Sequence, residues 1–234
     1  MDSHRAYKNN IYEELARIGK AVASPRRLEL LDLLCQAPRT VEALAHEANQ
    51  SVANTSQHLQ VLRGARLVET DKKGLFVTYR LGDQGVCDFY RALRLLAESR
   101  LAEIERVTQN YLEDRKGMEA VDREALLARV RRGEVLVLDV RPAEEYVAGH
   151  IPGALSVPLR ELETRLEQLP VDQDIVAYCR GPYCLLAVEA VERLRAHGLK
   201  AMRLEDSVSD WRARGFEVER GPGRAGTRSE TGAR

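Results

Sequence analysis

The pattern of apolar and polar positions divides the chain into two regions. In residues 7–114 apolar side chains recur mostly every three or four positions, apart from one pair of short alternating segments. That pattern predicts amphipathic helices and a single β-hairpin. In residues 121–219 short apolar runs alternate with helical patterns, which is typical of an α/β domain. The chain is therefore predicted to contain a mainly α domain followed by an α/β domain.

A charged segment that ends in glycine, residues 113–117, lies between the two patterns. We place the domain boundary there, with one domain over residues 1–116 and the second over residues 117–220. Residues 221–234 contain no large apolar side chain. We therefore expect them to form a disordered tail.

Start and stop signals predict three short helices ahead of the hairpin. Pro25 suits a first helical position, and the hydroxyl groups of Thr40 and Ser51 can each accept a hydrogen bond from the backbone of the helix that follows. Pro38 and the Asn49-Gln50 pair end the first two helices.

The third of these helices has two chemically different faces. The face predicted to pack inward carries Val52, Thr55, Leu59 and Leu62. The opposite face is mostly uncharged and able to form hydrogen bonds, with Asn54, Gln57, His58 and Val61. Such groups suit the reading of base edges in a DNA major groove. An ordinary solvated face explains this helix equally well when it is taken alone.

A basic hairpin is predicted directly after the third helix. Residues 67–70 and 75–81 alternate like strands, and residues 71–74 turn between them. From Arg63 to Arg80 there are five basic and two acidic side chains, an excess that suits contact with phosphate groups. A helix-turn-helix followed by such a hairpin is a winged helix. The candidate DNA-binding residues are Asn54, Thr55, Gln57, His58, Arg63, Lys72 and Lys73.

Over roughly residues 11–110 the sequence resembles the ArsR family of dimeric winged-helix repressors. The resemblance rests on residues 24–31, on residues 51–62 and on the end of the hairpin at residues 78–81. It implies that the helix around residues 54–58 reads double-stranded operator DNA with the wing beside it.

A long apolar stripe is predicted on the last helix of this domain. It continues from Val86 to Tyr111, which is longer than the core of a small monomer needs. Together with a helix over residues 11–18, it predicts the interface of a homodimer.

The resemblance also bears on metal and thiol sensing. The family's arsenic-type site needs a Cys-x-Cys pair in the helix before the recognition helix, and residues 41–48 contain no cysteine. Another family site uses Asp and His ligands on the last helix, and residues 84–112 contain no histidine. No metal site and no cofactor is therefore expected. Some persulfide-responsive members sense with one cysteine on the second helix and one on the last, so Cys35 and Cys87 are a candidate thiol sensor. The alternative is a buried core role for Cys35 and an incidental position for Cys87.

In the second domain a thiol is predicted where a buried strand turns into a helix. The apolar run over residues 175–178 ends at Cys179, and Cys184 opens a helical pattern after a loop of four residues. Unpaired backbone N–H groups and the helix dipole favour negative charge at such a turn. We therefore expect the pKa of Cys179 to be lowered, with a thiolate at neutral pH.

Two earlier segments of the sequence indicate which kind of domain carries this loop. Residues 134–142 form a buried strand that runs into a turn, and residues 144–154 include Gly-His-Ile-Pro-Gly-Ala. With Cys179, they resemble the rhodanese domain over about residues 121–220. The resemblance implies an α/β sheet, Cys179 as the sulfur acceptor of a ping-pong transfer, and a scaffold around the loop held by Asp139, Arg141 and His150.

The loop departs from the Cys-Arg-x-Gly-x-Arg pattern usual in single-domain rhodaneses. Arg180 matches, and we expect it to attract an anionic donor such as thiosulfate, whereas Pro182 replaces the glycine and Cys184 the closing arginine. Cys184 is either a resolving thiol for a persulfide on Cys179 or a small core-facing residue at the start of the helix. The candidate catalytic residues are Cys179, Arg180 and Cys184.

Composition limits the binding partners and the cellular location that we expect. The chain has 36 Lys and Arg against 36 Asp and Glu, so any nucleic-acid contact must come from a local patch. No apolar run is long enough to span a bilayer, and the first residues do not resemble a secretory signal. With only four cysteines, the chain is predicted to be a cytoplasmic protein without a membrane partner.

The sequence thus predicts a homodimeric DNA-binding regulator that responds to sulfane sulfur, with a rhodanese-type sulfurtransferase domain that takes a thiosulfate or persulfide donor. Two alternatives remain. In one, the protein is a sulfurtransferase whose winged helix only dimerises, which the outer face of residues 54–58 and the basic wing disfavour. In the other, an inactive rhodanese serves as a binding module, which the retained Cys179 and Arg180 disfavour.

Overall fold

The structure is a computed structural model, and it describes residues 2–74, 76–112, 126, 128–130, 132 and 134–222. The contacts among residues divide the chain into two units, Met1–Leu96 and Ala97–Arg234. The boundary predicted between residues 116 and 117 lies outside the described residues, as does most of the predicted tail.

The first unit consists of helices with a three-stranded antiparallel sheet. Its elements in chain order are α1 (Asp2–Val22), α2 (Pro25–Gln36), β1 (Arg39–Thr40), α3 (Val41–Glu47), α4 (Val52–Gly64), β2 (Val68–Lys73), β3 (Phe76–Leu81) and α5 (Gln84–Arg100). The central strand β3 pairs with β1 on one side and with β2 on the other. The predicted helix-turn-helix and hairpin are thus confirmed, and β1 is a strand that the sequence pattern did not indicate.

The two predicted hydroxyl caps hold the helix-turn-helix in place. The Oγ1 atom of Thr40 accepts a hydrogen bond of 3.3 Å from the backbone N–H of Ala43, and Ser51 Oγ accepts one of 3.2 Å from Asn54. Behind these caps, fully buried leucines of α2, α3 and α4 pack into one core: Leu30, Leu31, Leu44, Leu59 and Leu62. The predicted inward face of α4 is therefore confirmed for Thr55, Leu59 and Leu62.

Three details of this region differ from the prediction. Val52 is 45% exposed, because helical periodicity shows which residues share a face but not where the neighbouring elements stop covering it. The strand β2 extends through Lys73, so the turn is shorter than predicted. The helix predicted to continue from Val86 to Tyr111 is two helices that separate at Leu101, a break that the uninterrupted apolar spacing does not signal.

The second unit is a parallel sheet covered on both faces. Its elements are α6 (Ala102–Leu112), β4 (Val135–Asp139), α7 (Ala143–Ala148), β5 (Leu155–Ser156), a 3₁₀ turn (Leu159–Glu161), α8 (Leu162–Arg165), a second 3₁₀ turn (Leu166–Gln168), β6 (Asp174–Tyr178), α9 (Leu186–Ala196), β7 (Ala201–Leu204) and α10 (Val208–Ala213). The strand order is β5-β4-β6-β7, and all pairs are parallel. The predicted α/β class is confirmed.

Alternate residues of the central strands enter two different cores. Leu138 and Ile175 pack towards α9, whereas Val137, Val176 and Trp211 belong to the core on the other face. This explains why β4 and β6 are continuous apolar runs, since both faces of a parallel sheet are covered. In the register of the sheet, Asp139 lies beside Tyr178 at the carboxyl ends of these strands. The loops that follow therefore emerge next to each other, where open α/β sheets commonly bind ligands.

No helix in the described part of the chain has the length and apolar character needed to cross a membrane.

Core packing of α4 can be tested with a matched pair of substitutions in that helix. Leu59→Ala should lower the free energy of unfolding of the first unit by about 2–5 kcal/mol, because it leaves a cavity among buried leucines. The exposed control Val52→Ala should change it by less than about 0.5 kcal/mol. Urea unfolding followed by circular dichroism would measure the effect. The fluorescence of Trp211, the single tryptophan, reports the second unit and should keep its midpoint in both variants.

Candidate functional site

The loop between β6 and α9 brings two thiols together. Cys179 follows β6 directly and is buried in the core beneath α9, while Cys184 is half-buried at the start of α9. Between them Gly181 has a φ of 129°, a backbone conformation that favours glycine. The backbone N–H of Cys184 then donates a hydrogen bond of 3.2 Å to the carbonyl oxygen of Gly181. This turn folds the chain back so that Cys184 reaches Cys179.

The two thiols are hydrogen-bonded to each other, and their pKa values move apart. The hydrogen bond from Cys179, followed by N–H groups of Arg180 and Leu186, lowers the pKa of Cys184 to about 7. Burial, followed by the hydrogen bond and the charge of Cys184, raises the pKa of Cys179 well above its ordinary value. The Sγ atom of Cys179 also lies 3.3 Å from the carbonyl oxygen of Cys184. As the pH rises through about 7 the pair therefore loses one proton, and the negative charge that forms lies on Cys184.

The expectation that the pKa of Cys179 is lowered is wrong. The backbone N–H groups of Gly181 and Ala187 do favour its thiolate, as the strand-to-helix turn predicts, but burial outweighs them. The sequence pattern locates the N–H groups but does not show how deeply the thiol is covered.

A buried ion pair supports this loop from below. The guanidinium of Arg141 binds both carboxylate oxygens of Asp139, with Nε 2.9 Å from Oδ1, and also donates to the carbonyl oxygen of Gly149 at 2.7 Å. The hydroxyl of Tyr178 donates to Asp139 as well. All these side chains are buried, and removal of one partner from such a pair costs about 3–5 kcal/mol. The ends of β4 and β6 are thus joined through one carboxylate.

Arg180 is held by a residue that the sequence analysis missed. Its Nε and Nη2 atoms lie 2.9 and 2.6 Å from Oε1 of Glu145, whose side chain is fully buried in α7. This ion pair argues against the prediction that Arg180 attracts an anionic donor, because the charge of its guanidinium is balanced by a carboxylate. The available signal was the spacing of four residues between Arg141, just before α7, and Glu145 in its first turn; in the structure Nη1 of Arg141 lies 3.9 Å from Oε2 of Glu145.

His150 lies at the edge of this scaffold. Its buried ring stacks on Tyr146 with 3.7 Å between the ring centroids, and its Nδ1 atom lies 2.9 Å from the carbonyl oxygen of Tyr146. Its backbone pairs with Glu219 in both directions. These contacts place His150 between α7 and the last described residues, and they hold its ring in a structural position.

In the first unit the structure separates the candidate DNA contacts into two groups. Asn54 and Gln57 are exposed on α4 and His58 is half-exposed, so all three are accessible on its outer face. Thr55 is completely buried, because it lies on the same face of the helix as Leu59 and Leu62. Its prediction as a DNA-binding residue is wrong.

The wing is less basic than its sequence indicated. Arg80 pairs with both acidic residues of the hairpin, Glu69 on the opposite strand and Asp71. The positive charge of Arg80 is therefore balanced by carboxylates within the hairpin. Arg63 and Lys72 remain exposed, and the side chain of Lys73 lies outside the described residues.

Cys35 of α2 and Cys87 of α5 are also hydrogen-bonded to each other. The hydrogen bond with Cys87, together with burial, raises the pKa of Cys35. Both are free thiols. The structure thus brings together the two candidate sensor thiols, and of the two it is Cys35 whose ionisation is disfavoured. Within the described residues no group of His, Cys, Asp and Glu side chains could hold a metal ion.

Known proteins match the two halves of the chain separately and also match nearly the whole chain. The family model described as bacterial regulatory protein, arsR family, matches residues 24–70, and the rhodanese-like domain model matches residues 122–214. The HTH-type transcriptional regulator Rv0324 of Mycobacterium tuberculosis is 41% identical over 214 residues, which cover 92% of this chain and 94% of that protein. A sulfurtransferase from Allochromatium vinosum is 29% identical over 99 residues, 42% of this chain and 92% of that protein.

Solved structures match one half at a time. The homodimeric winged helix-turn-helix DNA-binding domain (fragment 1–100) of a possible ArsR-family regulator from Mycobacterium bovis is 35% identical. It covers 40% of this chain and 87% of that chain, with a TM-score of 0.39. A rhodanese-related protein from Thermoplasma volcanium is 25% identical and covers 43% of this chain and 97% of that chain, with a TM-score of 0.39.

The charge of the thiol pair predicts a titration near neutral pH. Because the pKa of Cys184 is lowered to about 7, its thiolate should be present above that pH and disappear as the pH falls through it. Ultraviolet thiolate absorbance and the rate of alkylation of Cys184 by iodoacetamide, followed by peptide mass spectrometry, would measure this. Cys184→Ser should remove the titration, whereas Cys35→Ser, at the other thiol pair, should leave it unchanged. Loss of the titration in Cys35→Ser would contradict the assignment.

Proposed function

The chain belongs to the ArsR family of bacterial regulatory proteins and is a transcriptional regulator with a rhodanese-like domain, and we propose that it responds to sulfane sulfur. The observation that carries the proposal is the close approach of Cys179 and Cys184: the Sγ atom of Cys179 lies 3.3 Å from the carbonyl oxygen of Cys184, and the hydrogen bond from Cys179 lowers the pKa of the Cys184 thiol to about 7. A thiolate at that pH is the form that attacks sulfur.

In the first step, the pair takes up one sulfur atom from an organic persulfide. The sulfur of Cys179 attacks the outer sulfur of R–S–SH as its own proton passes to the Cys184 thiolate. The bond between the two donor sulfurs breaks, and the products are a Cys179 persulfide, the neutral Cys184 thiol and R–S⁻. Charge and protons are conserved, and Cys184 acts as the base with a pKa suited to neutral pH. Cys184 thus supplies the negative charge that activates Cys179, at the position where related loops carry a closing arginine.

In the second step, Cys184 resolves the persulfide. After it loses its proton to solvent, the Cys184 thiolate attacks the inner sulfur of the Cys179 persulfide, forms a disulfide and releases HS⁻. Alternatively, an external nucleophile removes the outer sulfur and restores the thiol pair, which is sulfurtransferase turnover. The first outcome leaves the thiol pair oxidised, so the protein stays in a changed state. The second outcome restores the reduced pair.

The polar face of α4 supports DNA recognition by the first unit. Asn54 and Gln57 present side-chain amides, and His58 presents a ring nitrogen, without a competing cluster of charges on that face. Amides pair well with adenine edges in the major groove. Arg63 and Lys72 extend this surface towards phosphates. An enzyme whose winged helix served only dimerisation would not need this surface.

Dimerisation of the first unit is supported by apolar side chains that remain exposed in the monomer. Tyr7, Ile11, Tyr12 and Leu15 lie exposed on α1, and Phe89 on α5. Large exposed apolar patches mark interaction surfaces. A second copy of the chain would bury them, and a dimer would present two copies of α4 to two half-sites.

Cys35 of the DNA-binding unit is the slower thiol. Because the pKa of Cys35 is raised, its thiolate is scarce at neutral pH, so it reacts later than Cys184. Oxidation of Cys35 and Cys87 would join α2 to α5 covalently and change the packing beneath α4. The thiol pair of the rhodanese-like domain therefore reacts with sulfane sulfur before Cys35 does.

Single substitutions separate the roles of the two cysteines. With an organic persulfide as donor and cyanide as acceptor, thiocyanate production should be abolished in Cys179→Ser. In Cys184→Ser it should fall by about a hundredfold at pH 7 and recover at higher pH, because the internal base is missing. Cys35→Ser should leave the rate unchanged. Full transfer by Cys179→Ser would instead make Cys184 the sulfur acceptor.

The recognition face can be tested with DNA selected from a random library by the unmodified chain. The double variant Gln57→Ala, His58→Ala should bind that DNA at least about tenfold more weakly, since each base contact contributes roughly 1–3 kcal/mol. Binding to unrelated DNA should hardly change, because phosphate contacts remain. Gln168→Ala, which removes an exposed amide from the second unit, should bind normally. Unaltered affinity of the double variant for selected DNA would exclude this face.

A further inference from the structure

An apolar pocket of about 210 Å³ lies within the second unit, beside the thiol loop. Val107 and Tyr111 of α6 form one wall, and Pro182, Tyr183 and Leu185 of the loop form another. Several of these large side chains remain exposed, including Val107 at 69% and Tyr183 at 45%. A molecule seated in the pocket would cover apolar surface that is otherwise left to water.

A buried cation at the pocket has an unused hydrogen-bond donor. Arg203 of β7 lines the pocket, and its side chain is only 1% exposed. One terminal nitrogen lies 3.3 Å from the carbonyl oxygen of Pro182, and the other pairs with Glu205. Its Nε atom is buried and has no hydrogen-bond partner among the described residues. Buried donors are nearly always paired in folded proteins, so this one indicates an acceptor from outside the described residues.

We infer that this pocket binds a small aromatic carboxylate. An apolar cavity of roughly 150 Å³ can hold benzene, so about 210 Å³ accommodates a substituted ring. The apolar walls would cover the ring, and a carboxylate oxygen would accept the N–H of Arg203. This site goes beyond the proposed sulfur response, because neither Cys179 nor Cys184 lines it.

Occupancy of the pocket would affect the thiol loop. Tyr183 and Leu185 lie directly before and after Cys184, so a ligand against both would restrict that residue. The opposite wall, α6, follows α5 in the chain with a break at Leu101. A ligand would thus hold α6 against the loop and slow the access of reagents to Cys184.

The test uses the reduced full chain and 4-methylbenzoate as probe, with p-xylene as its uncharged counterpart. Saturation-transfer NMR and calorimetry should show binding of the acid at least about tenfold tighter than that of p-xylene, because a hydrogen bond to a charged group is lost in the hydrocarbon. Arg203→Met should remove this preference. Absence of acid binding at millimolar concentration would overturn the inference, as would an unchanged preference in Arg203→Met.

A matched pair of substitutions on α6 locates the bound probe. Val107→Trp should fill the pocket and abolish binding, whereas Asn110→Trp places the same indole on an exposed position outside the lining and should bind normally. Thermal melts of both variants would verify folding. Unimpaired binding by a folded Val107→Trp would overturn the assignment of the site. Alkylation of Cys184 should slow about tenfold when the pocket is saturated in the unmodified chain, and an unchanged rate would overturn the coupling to the loop.

Discussion

The second unit depends most on the ion pair and hydrogen bonds that the buried carboxylate of Asp139 forms. It accepts hydrogen bonds from the guanidinium of Arg141 and from the hydroxyl of Tyr178, so it joins the carboxyl ends of the two central strands. Glu145 extends this network to Arg180 in the thiol loop. Since buried charges are costly unless fully paired, the network allows one arrangement of these loops. The thiols gain their geometry from charges that take no part in sulfur chemistry.

Within that geometry, burial decides how the two thiols share their proton. Backbone N–H groups of the strand-to-helix turn favour the thiolate of each cysteine, those of Gly181 and Ala187 for Cys179 and those of Arg180 and Leu186 for Cys184. Only Cys184 nevertheless has a lowered pKa. Cys179 lies deeper, and desolvation dominates the effect of its hydrogen bonds. Replacement of a closing arginine by Cys184 therefore exchanges a fixed positive charge for a group that titrates near neutral pH. This exchange suits a loop that senses sulfur better than one built for rapid turnover of an anionic donor.

Each unit contains a pair of hydrogen-bonded thiols. The pKa of Cys184 beside Cys179 is lowered to about 7, whereas hydrogen bonding and burial raise the pKa of Cys35 beside Cys87. In the winged helix, α4 separates its exposed and core faces within a single turn, because Asn54 and Gln57 face outwards while Thr55 between them is buried.

The sequence by itself determined the two architectures, the caps at Thr40 and Ser51 and the loop that carries Cys179, because these depend on local periodicity and on short hydrogen bonds. It could not determine which thiol carries the charge, nor that Arg180 is bound by Glu145, because both depend on burial and on contacts between residues 35 positions apart in the chain. The helix break at Leu101 also went unnoticed, whereas the burial of Thr55 agrees with the inward face that its spacing predicts and contradicts only its selection as a DNA contact. Local pattern specifies the elements, while the environment of each charged or nucleophilic group is set by what packs around it.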